Sequence, residues 1–174
     1  MVQSPRLTVA LDGPADTESI GACLAHALQK IEPAGPVLIA LTGPLGAGKT
    51  TLVRSFLRAL GHQGPVRSPT YTLVEVYDFK DFSVAHLDLY RLAAGDELEF
   101  LGYRDFIASG WVRLVEWPER GGRALGRADL TLALEYRDEG RQLSVEGNAG
   151  TGQEILAGLS EAISANRARF SPHI

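Results

Sequence analysis

Nine consecutive residues, Gly43-Pro44-Leu45-Gly46-Ala47-Gly48-Lys49-Thr50-Thr51, carry the strongest chemical signal in the chain. Gly43, Gly48, Lys49 and Thr50 match the spacing G-x-x-x-x-G-K-[ST]. Glycines let the backbone curl so that successive N–H groups point inward at phosphate oxygens. A helix starting near Lys49 adds the positive end of its dipole. Lys49 can reach the β- and γ-phosphates as a mobile point charge, and the Thr50 hydroxyl can ligate Mg²⁺. The stretch predicts a loop that binds a nucleoside triphosphate.

Two downstream acids fit the same chemistry. Asp88 closes the run Val84-Ala85-His86-Leu87-Asp88, and Glu116 closes Val112-Arg113-Leu114-Val115-Glu116. An acid at the C-terminal end of a strand beside a phosphate loop can hold Mg²⁺ or orient water. Either acid alone reads equally well as a solvated strand end or a helix cap. Two of them in a chain with this loop strengthen the functional reading of at least one. Thr70, in Ser68-Pro69-Thr70-Tyr71, is a candidate sensor of the γ-phosphate or its metal, with a plain turn hydroxyl as the alternative. His86 has no cysteine or second histidine at metal spacing and is expected to be packed or hydrogen-bonded. Arg120, Arg123 and Arg127 lie in a glycine-rich stretch that reads as a solvated loop. Phosphate contacts or a partner-facing patch are its alternatives.

The elements that must position these groups follow from periodicity. Val37-Leu38-Ile39-Ala40-Leu41 predicts a buried strand into the loop. Leu52, Val53, Phe56, Leu57 and Leu60 repeat at helical spacing after it, and Gly61 is a natural left-handed stop. Leu7 to Leu11 predicts an earlier strand. Asp16 or Thr17 is expected to cap a helix to about Lys30, with Ile20, Leu24, Ala27 and Leu28 on its apolar face. Tyr71 to Tyr77 reads as a strand. Asp96 to Glu99 resembles a capping box for a helix carrying Leu98 and Leu101, loosened at Gly102 and continuing to Gly110. Leu130 to Tyr136 and Arg141 to Glu146 alternate, and Arg137-Asp138-Glu139-Gly140 joins them as a hairpin. An amphipathic helix runs from Gly152 to about Arg169, and Phe170 to Ile174 is expected to fray. The hairpin predicts a mixed sheet, parallel at its centre with antiparallel additions.

Composition sets the outer bounds. The chain has 174 residues, enough for one full core, read as a single domain over 1–170 with a frayed tail over 171–174. A hydrophobic fraction of 45% and a charged fraction of 22% are ordinary for a globular protein. The formal net charge of −4 argues against a strong unaided grip on nucleic acid. Cys23 is the single cysteine, which precludes an internal disulfide, and its apolar neighbours predict a core position. No charged leader with an apolar run opens the sequence, and no apolar run approaches a membrane span, so the expected location is the cytoplasm.

Taken together, Gly46-Ala47-Gly48-Lys49-Thr50-Thr51, Ser68-Pro69-Thr70-Tyr71-Thr72-Leu73-Val74, His86-Leu87-Asp88-Leu89-Tyr90-Arg91-Leu92 and Leu114-Val115-Glu116-Trp117-Pro118-Glu119 closely resemble the TsaE (YjeE) family. These are small P-loop ATPases of bacterial tRNA threonylcarbamoyladenosine synthesis. The resemblance runs from about Asp16 to the C-terminal hairpin. It implies an α/β, P-loop NTPase-like three-layer fold with a mixed sheet between helices. It implies ATP as ligand, ADP as product and Mg²⁺ as cofactor, with Thr50 and Glu116 at metal positions. Asp88 matches the acidic strand-end residue, Thr70 the switch-loop threonine, and Trp117 a tryptophan near the nucleotide. Gly13 to Thr17 and Gly140-Arg141 correspond to the adenine side. The implied partners are the TsaD and TsaB proteins, which modify adenosine at position 37 of tRNA. tRNA is thus reached through the complex, and no membrane is involved. With no arginine finger assignable, slow basal hydrolysis raised by a partner is expected. A small-molecule P-loop kinase using the three arginines as a lid, or a nucleotide-gated adaptor without hydrolysis, are the rival readings. A GTPase is disfavoured because no Asn-Lys-x-Asp element is present.

Overall fold

The computed structural model describes residues 5–93, 97–108, 110–148 and 150–166. Seven strands form one sheet: β1 Arg6–Leu11, β2 Val37–Thr42, β3 Val74–Asp78, β4 Ser83–Asp88, β5 Trp111–Glu116, β6 Leu130–Arg137 and β7 Gly140–Gly147. Their order is β1-β7-β6-β2-β5-β4-β3. β2 runs parallel to β5 and β6, and β4 runs parallel to β5. The three remaining pairings, β1 with β7, β6 with β7 and β3 with β4, are antiparallel. The fold is thus α/β with one mixed sheet, parallel in its middle four strands and antiparallel on both flanks, as the hairpin predicted. β2 and β5 are buried on both sides, hence their near-continuous apolar runs.

Three helices cover one face: α1 Pro14–Ile31, α2 Lys49–Ala59 and α5 Thr151–Ala165. Ile20, Leu24 and Leu28 of α1, Leu52, Val53, Phe56 and Leu57 of α2, and Ile155, Leu159 and Ile163 of α5 pack on Ile39, Leu41, Leu114 and Leu132. Cys23 lies in this core, as expected. α1 and α2 approach so closely at Gly21 that a Cβ there would meet the Leu52 carbonyl and the Ser55 Cβ. The opposite face is closed by short pieces: α3 Glu97–Phe100, a 3₁₀ turn over Tyr103–Ile107, and α4 Gly122–Leu125. Leu98, Tyr103 and Leu125 cover Leu38, Ala85, Leu87 and Val115 there. Among the described residues, no helix is long and apolar enough to cross a membrane.

Three local expectations need correction. The first helix starts at Pro14, with Gly13 as its cap and no side-chain cap bond. Proline pre-sets the helical φ at the first position and lacks the donor that would be orphaned there. Asp16 instead turns back to accept from the Asp12 N–H at 2.7 Å. β3 begins at Val74, because Leu73 adopts a left-handed φ of 65° and ends a turn. The helix expected to run to Gly110 stops at Phe100, since Gly102 takes φ 68° and the chain restarts as a 3₁₀ turn. Its proposed cap, Asp96, and the expected fraying of Phe170 to Ile174 lie outside the described residues, and the last described helix ends at Ala165.

Candidate functional site

The parallel strands β2, β4 and β5 all end on the same side of the sheet, and the phosphate-loop residues follow β2 directly. The loop turns at Gly43 (φ 135°), Gly46 (φ 78°) and Gly48 (φ 111°) and enters α2 at Lys49. Gly43 has no room for a side chain, because a Cβ would strike the Leu134 carbonyl of β6. Gly43→Ala combines that collision with a disfavoured φ. It should destabilise the fold by about 2–4 kcal/mol and lower the melting temperature by roughly 5–15 °C, read by thermal unfolding. An unchanged melting temperature would contradict this geometry.

A cleft of about 310 Å³ opens over the loop. Its lining includes Leu45, Gly46, Gly48, Lys49, Thr50 and Thr51, together with Ser68, Thr70, Asp88, Tyr90, Glu116 and Trp117. The sheet register explains why the two acids meet: Asp88 of β4 lies directly opposite Glu116 of β5, and Glu116 opposite Leu41 of β2. Both carboxylates are 3% exposed. Thr50 Oγ1 donates to Glu116 Oε1 at 2.9 Å and lies 3.2 Å from Oε2. Ser68 and Thr70 hydroxyls both donate to Asp88 Oδ2, the latter at 2.8 Å, and the Tyr90 N–H donates to Oδ1 at 3.0 Å. Asp88 thereby ties the 68–70 loop to the strand end.

Lys49 is 4% exposed. Its ammonium donates to the carbonyls of Gly43 (2.6 Å) and Pro44 (3.0 Å) and sits 4.1 Å from the Trp117 ring centroid. Burial pushes its pKa below the usual lysine value, and the carboxylates of Glu116, Asp88 and Glu119 oppose that shift. Trp117 takes a left-handed φ of 57° immediately after Glu116. Leu73, a second non-glycine residue with a left-handed φ, offers its carbonyl to the Asp88 N–H at 3.1 Å. Strained backbone therefore flanks both strand-end acids, a pattern associated with functional sites.

The remaining sequence candidates form the walls. Ala47 is fully buried, with its N–H on the Pro44 carbonyl at 3.2 Å. Leu45, at the loop tip, is 72% exposed, and its carbonyl accepts from the Tyr136 hydroxyl at 2.8 Å. Arg141 lies over the Tyr136 ring and approaches the Gly46 carbonyl at 3.5 Å, so the β6–β7 hairpin braces the loop from behind. Thr17 of α1 packs against Gly48. Arg120, Arg123 and Arg127 are exposed and do not line the cleft. His86 is packed and hydrogen-bonded, with Nε2 2.9 Å from Glu116 Oε1. Sequence reasoning did not single out Ser68 as a partner of Asp88. Its signal was the following proline, which holds Ser68 extended.

The oxygens that line the cleft beside the loop include the Thr50 hydroxyl at the start of α2 and the two buried carboxylates. That set suits a hard cation such as Mg²⁺. Among the described residues no group of three His, Cys, Asp or Glu side chains surrounds one metal position, so a metal here would take further ligands from water and phosphate.

Comparison with known proteins bears on this site. A family model described as threonylcarbamoyl adenosine biosynthesis protein TsaE matches residues 11–144. The tRNA threonylcarbamoyladenosine biosynthesis protein TsaE of Haemophilus influenzae is 41% identical over 140 residues, covering 80% of this chain and 89% of that protein. Its Aquifex aeolicus namesake is 37% identical over 136 residues, covering 77% and 90%. The crystal structure of Bacillus subtilis YdiB superposes with a TM-score of 0.73 at 25% identity, over 92% of this chain and 98% of that one. The chain belongs to the TsaE family of tRNA threonylcarbamoyladenosine biosynthesis proteins.

Proposed function

We propose that this chain binds and hydrolyses ATP and thereby serves the TsaB–TsaD pair in modifying adenosine 37 of tRNA. The observation that carries the reading is the convergence in one cleft of Lys49 and Thr50 at the start of α2 with Asp88 and Glu116 at two strand ends. Inward amides of the loop and the α2 N-terminus hold the phosphate tail. Lys49 leaves the Gly43 and Pro44 carbonyls for the β- and γ-phosphates. Thr50 and Glu116 hold Mg²⁺, which when bound neutralises charge on the phosphoryl oxygens. Asp88, with Thr70, fixes the attacking water. Trp117 lies beside the phosphates, and Arg141, outside the phosphate cleft, lies toward the adenine side. The reading implies a cytoplasmic protein that reaches tRNA through its partners.

No arginine lines the cleft among the described residues, so charge on the transition state is incompletely matched. Slow hydrolysis by the isolated chain, raised at least about tenfold by TsaB and TsaD with tRNA, is the expected result of a phosphate-release assay. No phosphate release even with the partners present would favour the nucleotide-gated adaptor instead. Stoichiometric transfer of the γ-phosphate to a small hydroxyl compound would favour a kinase.

A further inference from the structure

Glu116 has two side-chain partners of different kinds. Thr50 faces the cleft and is the group that turns to the metal in the function proposed above, on which this inference rests. His86 comes from β4, is 0% exposed, and cannot be reached by a ligand. It stands opposite Leu114, one diagonal step from Glu116 on the same face of the sheet. Nε2 lies 2.9 Å from Glu116 Oε1, while Nδ1 is buried with no partner. A carboxylate oxygen only accepts, so Nε2 carries the proton in this bond.

We propose that His86 is a positioning residue: its Nε2–H holds Glu116 Oε1 and so presents Oε2 to the divalent ion. Thr50 reaches Glu116 from the cleft side, and its own position shifts as it turns to the metal, whereas His86 holds the same carboxylate from within the sheet. His86 is thus the buried anchor of a carboxylate that water hardly reaches. A histidine within a buried strand has no packing advantage over leucine, and its unpartnered Nδ1 is a cost that the bond to Glu116 offsets.

The test compares wild type, His86→Leu and His86→Gln by calorimetry, first with ADP in chelator and then with Mg²⁺ at saturating ADP. Metal-free ADP affinity should stay within about twofold in both variants. Mg²⁺ affinity should fall about 10–100-fold in His86→Leu and be largely restored in His86→Gln, whose amide nitrogen can reach the same donor position. Wild-type Mg²⁺ affinity in a folded His86→Leu would overturn the proposal. So would a His86→Gln variant no better than leucine. Should the variants not fold, ¹⁵N-histidine NMR of the wild-type protein decides: a proton on Nε2 supports the proposal, and a bare Nε2 overturns it. Failure of wild type to bind ADP at all would instead count against the proposed function.

Discussion

Replacing Lys49 with alanine should reduce ATP hydrolysis by about 10²–10³-fold while leaving the protein folded. The ammonium sits at the turn of the phosphate loop, between the Gly43 and Pro44 carbonyls and the Trp117 ring. It is also largely desolvated, so its attraction for phosphate is weakly screened. Lys49 sits at the first position of α2, where alanine is an acceptable helix former. The loop keeps its glycine turns and its brace from the Tyr136 hydroxyl. Loss of turnover with a melting temperature within a few degrees of wild type is therefore the expected pair of results. Undiminished phosphate release from Lys49→Ala would remove the lysine from the mechanism.

The second large effect concerns Asp88, and two variants separate charge from architecture. Asparagine preserves the shape, and its amide can still bond the Ser68 and Thr70 hydroxyls, which donate or accept. It cannot supply the negative charge that orients water or supports the metal. Asp88→Asn should hydrolyse ATP about 10²-fold more slowly with little change in melting temperature. Alanine leaves the Ser68 and Thr70 hydroxyls and the Tyr90 N–H without their acceptor. That variant should lose turnover and also about 1–3 kcal/mol of stability, read by denaturant unfolding. Wild-type rates in Asp88→Asn would reduce this carboxylate to a latch for the 68–70 loop.

The parts of this fold that were legible in the sequence are those governed by local rules. The phosphate-loop spacing, the apolar run of β2 and the helical repeat of Leu52, Val53, Phe56 and Leu57 are short-range patterns, and the structure realises each. The hairpin was readable because Asp138 and Gly140 are turn residues between alternating runs, and Asp138 takes a left-handed φ of 49°. What could not be read depends on distant pairing. Nothing in β4 and β5 taken singly says that Asp88 and Glu116 stand opposite each other, because register is set by neighbouring strands.

Polar residues inside the strands were ambiguous for the same reason. His86 and Arg113 interrupted apolar runs, yet both are buried. His86 meets Glu116, and Arg113 donates to the Tyr103 hydroxyl at 2.7 Å on the opposite face. Neither partner is near in sequence. Backbone exceptions at Leu73 and Trp117 were likewise unreadable, since tertiary structure at the cleft holds the chain there at φ values that local preference disfavours. The short covering pieces around Tyr103 replace the single helix that the periodicity predicts because Gly102, at φ 68°, breaks the helix rather than loosening it.

The most direct test of the whole account is isothermal titration of the purified protein with ATP and Mg²⁺, with Lys49→Ala beside it. The account predicts saturable binding at one site per chain by the wild type and at least tenfold weaker binding by the variant. Absence of heat and saturation in the wild type, or equal binding by both proteins, would contradict it.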